Sequence, residues 1–330
     1  MLILLVLVWF LNINLGSIHI PFKQFVAILL NSPVENESWR YIVLHFRIPK
    51  SISAILVGSG LGISGLLMQT LFRNPLAGPF VLGISSGASL GVATLLLGAS
   101  AIGGVFSSIA VSNWSISIAS SLGSFMVLSA VLIAVKRIRN TMSILIIGLM
   151  FGSISAAIIN VLSYFSSAEE LQQFIFWSFG SLGNLSWEEL GVFASILFIS
   201  FLFLILVIKP LNSLLLGENY ARSLGINLKQ TRYIVLIVTS LITGVITAFS
   251  GPIAFIGLAV PHLTKLIFTT SNHRILLPAV AILGAILMLI CDSIAQVPTS
   301  EYTLPINAVT SLFGAPIVIW LLVRKHKTVL

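Results

Sequence analysis

Asp292 stands alone in the run LLPAVAILGAILMLICDSIAQ, the one carboxylate of the sequence set inside a long apolar segment. In hydrocarbon such a group costs about 2.5–3.5 kcal/mol at mid-helix on insertion scales, so it must face protein or water. A proton relay would use further carboxylates at the same depth, and the sequence offers none there. A structural bond near one end of its helix is the better expectation. The histidines (His19, His45, His262, His273 and His326) show no metal-ligand spacing, and HExxH is missing. His262 follows Pro261 and is expected to hold a hydrogen-bonded structural role. Cys291 is the single cysteine, so it has no internal disulfide partner and reads as a small buried hydrophobe. No glycine-rich loop ending in Gly-Lys-Ser/Thr occurs, so no P-loop for ATP is expected, and no convergent catalytic constellation stands out.

A different chemistry is offered by LLMQTLFRNPLAGP at 66–79, where polar groups and two prolines end an apolar run. Gly58, Gly62, Gly65 and Gln69 fall at i, i+4, i+7 and i+11, one stripe along a helix. Glycines in such a stripe let another helix approach closely. The same stripe would equally suit a helix lining a central pathway, with Gln69 turned toward it. Both readings fit the spacing.

The elements that carry these residues follow from composition. Hydrophobic residues make up 57% of the sequence and charged ones 8%, with a mean hydropathy of +1.10. A soluble chain carries about 25% charge. The fold class is therefore all-α, a polytopic membrane protein forming one transmembrane domain over 1–330. A span needs about 20 apolar residues, which yields ten segments: 1–16, 51–72, 80–99, 114–135, 142–164, 188–208, 232–250, 253–269, 275–297 and 306–323. The first is short, and the eighth is interrupted by Pro261 and His262. Met1–Leu15 has no preceding Lys or Arg and no small-residue cleavage site, so it is read as a membrane helix rather than a signal peptide.

Charge tests this count. With the N-terminus inside, 13 of the 17 basic residues fall in cytoplasmic segments, with Glu218 as the only acid there. The outer segments hold Lys23, Arg40, Arg47 and Lys50 against seven glutamates. This is the positive-inside pattern, and it places both termini in the cytoplasm. The net charge of +8 is thus a topology signal and implies no nucleic acid partner. A faint echo, Gly58-x5-Ser64-Gly65 against Gly244-x5-Ser250-Gly251, fits two five-helix halves in an inverted repeat. Ordinary helix packing would also produce it. The longest cytoplasmic connection, 209–232, is too polar to span and carries a short amphipathic segment between Gly217 and Gly225. It is read as a solvated loop or as a docking element for another protein.

The run RIPKSISAILVGSGLGISGLLMQTLFRNPLAGPFVLGISSGAS resembles the signature of the FecCD-type permeases, membrane subunits of bacterial ABC importers for iron–siderophores, haem and cobalamin. SGPIAFIGLAVPHLTKLIFTTSNHRILLPAVAILGAILMLICD, LPINAVTSLFGAPIVIWLLVRK and GENYARSLGINLKQTR resemble its other segments, in the same order. The resemblance implies a homodimer in the bacterial inner membrane with two ATPase subunits below and an extracytoplasmic substrate-binding protein above. Lipid surrounds it. No cofactor would be bound by this chain, ATP and magnesium being held in the ATPase. It implies a pathway and gate formed by Gly65, Met68, Gln69, Ser85, Ser86, Thr141, Met142 and Ser143. The ATPase contact would be the segment 217–229, with Gly217, Glu218, Tyr220, Ala221, Leu224 and Gly225. Docking of the binding protein would use Arg47 and Lys50, steered by long-range attraction to glutamates.

Some residues depart from the family pattern. RLPR becomes RIPK, so position 50 loses the planar guanidinium fork. Gln296 stands where a third docking arginine is usual, which leaves Asp292 without that neighbour. Asp-His-Arg becomes Asn272-His273-Arg274, and a usual Glu is Thr303, with Glu301 nearby. The transported compound is expected to be ferric siderophore first, with haem and cobalamin behind. Two rivals predict other features: an ion-coupled secondary transporter would carry intramembrane carboxylates, and a membrane enzyme would carry convergent nucleophile, base or metal ligands.

Overall fold

Apolar runs of this length have one local solution in hydrocarbon, the helix, because it satisfies every backbone N–H and C=O within the segment. The computed structural model describes residues 1–16, 18–98, 112–137, 141–183, 185–297 and 302–326. Among these, six helical stretches are long and apolar enough to cross a bilayer. They are α4 (Ile48–Phe72, continued N-terminally by α3), α6 (Asn113–Arg137), α7 (Thr141–Phe165), α9 (Trp187–Leu215), α11 (Leu228–Ser250) and α13 (His273–Ala295). Four shorter apolar helices complete the ten: α1 (Leu2–Asn14), α5 (Ile84–Leu96), α12 (Ile256–Phe268) and α14 (Ile306–His326). The remaining described helices, α2 (Phe22–Leu29), α8 (Ala168–Ser178) and α10 (Glu218–Ser223), are short, and α3 (Glu37–Ile42) leads into α4.

Local sequence sets the ends. Ser167 with Glu170, and Ser186 with Glu189, form reciprocal capping boxes that start α8 and α9. Asn227 and Asn272 cap α11 and α13 through their side-chain oxygens. At the end of α4, Arg73 adopts a left-handed conformation (φ 48°), and Pro75 follows.

The layering separates a core from a rim. In the best apolar window, 78% of the α3–α4 stretch, 72% of α11 and 61% of α13 are buried, against 22% of α7 and 28% of α9. α4 is the central post, packed against α13, α12, α11 and α9, while α5 packs on α6 and α7. Glycines set the closest crossings. A methyl group added to Gly58 would lie 2.2 Å from the Gly284 carbonyl oxygen, and one on Gly65 only 1.7 Å from that of Gly257. The pair Gly87 and Gly123 does the same for α5 and α6.

Three sequence expectations change. The eighth segment is not interrupted at Pro261: α12 runs through it, and the irregular backbone precedes the helix at 251–255, with Gly251 and Phe255 both at positive φ. The connection expected at 209–232 is shorter. α9 continues through Lys209 and Pro210 to Leu215, and α11 begins at Leu228. The Gly58/Gly244 echo has no counterpart in packing. Gly58 abuts backbone, Gly244 meets only side chains, Ser124 at 3.4 Å and Ile84 at 3.9 Å, and Gly251 ends α11 whereas Gly65 lies inside α4.

Candidate functional site

Side chains able to act gather at the two ends of the bundle. At the end where α1 stops and α4 starts, Asp292 is 1% exposed and forms an ion pair with Lys50 (Oδ1 to Nζ, 3.1 Å). Its second oxygen accepts from Gln296 Nε2 at 2.7 Å and from Asn12 Nδ2 at 2.9 Å. Asn12 also reaches the Leu289 carbonyl and Ser293 Oγ, which ties α1 to the same turn of α13. Gln296 lies one helical turn after Asp292, so the residue replacing the usual arginine is a neutral donor to it. Arg47 donates to the carbonyls of Ile13 (3.0 Å), Asn14 (2.9 Å) and Ile18, closing the otherwise unpaired C-terminal end of α1.

The residues expected to meet the binding protein, Arg47 and Lys50, with Gln296 at the third position, already have partners within the chain. All three are bonded within the chain, because the buried Asp292 and the end of α1 need donors and no other cation reaches them among the described residues. Asp292 does not lack a neighbour, since Lys50 takes the place left by the missing arginine. The network forms one wall of a cavity of about 680 Å³ that Phe176, Phe179, Thr303 and Leu304 also line. Glu301 falls outside the described residues.

At the opposite end, Gly217 (φ 118°) and Gly225 (φ 77°) bracket α10 in conformations that side-chain-bearing residues rarely adopt. Glu218 is ion-paired with Arg232 at 2.8 Å, fixing α10 to α11. Arg73 donates to the Leu214 carbonyl at 2.6 Å, joining the end of α4 to that of α9. Tyr220 and Leu224 are exposed (51% and 54%), whereas Ala221 is fully buried. Ala221 therefore anchors α10 inward, and Tyr220, Leu224 and Gly225 are among the exposed residues of this segment.

The residues expected to line the pathway separate into two groups. Gly65, Met68 and Gln69 are buried inside the protomer against α12: Met68 is 0% exposed, and Gln69 Nε2 donates to the Leu258 carbonyl at 3.3 Å. The close crossing at Gly65 consumes the face that a pathway would have used, so these three do not form a surface. Ser85 and Ser86 are half-buried at the start of α5. Met142 is exposed and Ser143 half-buried at the start of α7, and the Thr141 side chain lies outside the described residues. α7 continues that surface with exposed Ile146, Leu149, Met150 and Ile154. His262 bonds the Pro75 carbonyl at 2.8 Å, and the buried His273 bridges Thr70 of α4 and Asn212 of α9. Sequence reasoning missed the Thr70–His273–Asn212 link, whose members are 60 or more positions apart.

Among the described residues, ten apolar helices, packed about the glycine-lined α4 and with a short helix hung between two glycines at one end, define a polytopic membrane protein. The chain belongs to the FecCD transport family, which it matches over residues 4–324. It is 34% identical to the hemin transport system permease protein HmuU of Yersinia pestis over 99% of this chain and 95% of that protein. It is 37% identical to the vitamin B12 import system permease protein BtuC of Klebsiella pneumoniae over 86% of this chain and 83% of that one. Among solved structures, an inward-facing ABC transporter described as of metal-chelate type superposes with a TM-score of 0.83 at 28% identity, covering 98% and 97% of the two chains. PsaBC from Streptococcus pneumoniae shares the fold at a TM-score of 0.54 and 16% identity, over 84% of this chain and 90% of that one.

Proposed function

We propose that this chain is the permease subunit of a binding-protein-dependent ABC importer that moves a metal chelate into the cytoplasm, ferric siderophore before haem or cobalamin. The observation that carries the reading is the near-full-length likeness to permeases of hemin and vitamin B12 import systems. The chain works as a homodimer in the bacterial inner membrane, with its α10 end and both termini in the cytoplasm, as the distribution of basic residues supports. A separate ATPase, holding ATP and magnesium, docks on Tyr220 and Leu224. An extracytoplasmic binding protein docks at the Asp292 end. Transport follows from the ATPase's different affinity for two conformations of the pair, since a ligand shifts an equilibrium only by its differential binding. Asp292 is held by Lys50, Gln296 and Asn12, which argues against the ion-coupled alternative.

The test is uptake by the chain reconstituted with its ATPase and binding protein, offered ferric siderophore, haem and cobalamin in competition. Uptake should require ATP and the binding protein and should favour one chelate. ATP-independent uptake by this chain alone would sink the importer reading.

A substitution probes the α10 face. Gly225 has φ 77°, and its N–H donates to the Arg222 carbonyl at 2.9 Å. Proline fixes φ near about −65° and removes that donor. Gly225→Pro is expected to tilt α10 and weaken copurification of the ATPase at least about tenfold, the factor that about 1.4 kcal/mol supplies. Membrane insertion and thermal stability should stay near wild type. Unchanged copurification would show that α10 is not the contact.

A further inference from the structure

A second basic site lies away from α10, where α9 and α13 meet at the same end of the bundle. A cavity of about 260 Å³ is lined by Lys209, Asn212, Ser213, Leu216, Asn272 and Arg274. It holds two cations and no carboxylate. Neither Lys209 nor Arg274 forms an ion pair among the described residues. The polar wall between them is rigid. Asn212 Nδ2 donates to Asn272 Oδ1 at 3.0 Å, Asn212 Oδ1 accepts from the His273 N–H at 2.8 Å, and Asn272 Oδ1 also accepts from the Arg274 N–H. The amides of the first turn of α13 are thus already used, and any ligand would be held by the Lys209 and Arg274 side chains.

The position of the cavity selects the ligand. Trp187, at the start of α9, is 22 residues before Lys209. At 1.5 Å per residue they stand about 33 Å apart, close to the hydrocarbon thickness of about 30 Å. Tryptophan is enriched at membrane–water interfaces, and with Trp187 at one of them Lys209 falls at the headgroup level of the other. On the α9 face above Lys209, at helical spacing, stand Ile205, Leu206, Leu202 and Phe198, all exposed between 51% and 67%. A cationic pocket at headgroup depth is therefore continuous with an uncovered apolar strip that could carry acyl chains.

We propose that this pocket binds the phosphate headgroup of an anionic phospholipid, whose chains lie along the exposed face of α9. Basic pockets between membrane helices suit such headgroups. Two unpaired cations at headgroup depth also draw anionic lipid more strongly than zwitterionic lipid.

The test uses the full-length chain purified in mild detergent, with retained lipid counted by native mass spectrometry and thermal stability followed in parallel. The probes are dioleoyl phosphatidylglycerol, dioleoyl phosphatidylcholine and inorganic phosphate. Phosphatidylglycerol should be retained about 30-fold more strongly than phosphatidylcholine, the factor that two cations at about 1 kcal/mol each provide. Lys209→Ala/Arg274→Ala should erase most of that preference, while Lys209→Arg/Arg274→Lys, which keeps both charges, should retain it and so guard against misfolding. Equal retention of the two lipids, or an undiminished preference in the alanine variant, would overturn the proposal. Stabilisation by millimolar inorganic phosphate equal to that by phosphatidylglycerol would overturn it in favour of a soluble anion. Loss of ATPase copurification with an unchanged lipid preference would assign the pocket to a protein contact instead.

Discussion

Gly65→Val is expected to prevent recovery of folded protein, whereas Gly191→Ala should be harmless. Gly65 sits where α4 crosses α12, and even the first added carbon would lie 1.7 Å from the Gly257 carbonyl oxygen, 2.6 Å from its carbon and 3.0 Å from its Cα. The obstacle is backbone on a buried helix, so no rotamer change relieves it. The helices would have to separate, and everything packed on α4 would separate with them. Overpacking of ordinary cores costs about 1–3 kcal/mol and sometimes more. Here the clash is with main chain at the centre of the bundle, and the upper part of that range is a floor. Gly191, on α9, has nothing within 4 Å of the added methyl group. Alanine there removes only the helical penalty of glycine, about 1 kcal/mol, so a neutral or slightly stabilising effect is expected. The comparison is made by fluorescence-detected size exclusion and thermal midpoints in one detergent. A monodisperse Gly65→Val protein with a wild-type midpoint would refute the close crossing.

That contrast also measures how far the sequence speaks for itself. The stripe Gly58, Gly62, Gly65 and Gln69 is compatible with a close approach, because small residues at this spacing let backbones meet in a membrane. It cannot name the partner. Apolar side chains gain nothing from one helix neighbour over another when lipid is the alternative, so the pairing of Gly58 with Gly284 and Gly65 with Gly257 became visible only in three dimensions. The same limit explains why Gln69 was read two ways. Its helical face was correct, but what covers that face depends on α12, nearly 190 positions away.

Span positions were legible for the opposite reason, since hydropathy is a property of each segment alone. The ends were less so. α9 runs on through Lys209 and Pro210 because a helix emerging from the bilayer keeps its hydrogen bonds whether or not its side chains are apolar, and neighbouring helices support it past a proline. Pro261 misled in the same direction within α12. In both places a local breaker was outweighed by packing. The glycines at 217 and 225 were reliable signals because their positive φ is set by the chain itself.

Lys50→Met is expected to destabilise the chain by about 3–5 kcal/mol, the usual cost of removing one partner of a buried ion pair. Asp292 would be left at 1% exposure with only the amides of Gln296 and Asn12 against it. Asp292→Asn removes the charge but keeps an acceptor for those amides. Lys50, whose side chain is 24% exposed, can then turn toward the adjoining cavity, so this variant should lose much less. The double variant Lys50→Met/Asp292→Asn contains no stranded charge and should recover about 2 kcal/mol or more relative to Lys50→Met alone. Such non-additivity is the mark of two residues in direct contact. Were Lys50 instead a free cation for the binding protein, the results would take another form. Lys50→Met would be as stable as wild type, its binding-protein affinity would fall in a salt-dependent way, and Asp292→Asn would not rescue it. Thermal midpoints of the four proteins, read beside binding-protein affinity at low and high salt, separate the two roles. The geometry favours the first, because a lysine 3.1 Å from a buried carboxylate must leave that carboxylate unpaired before it can meet another.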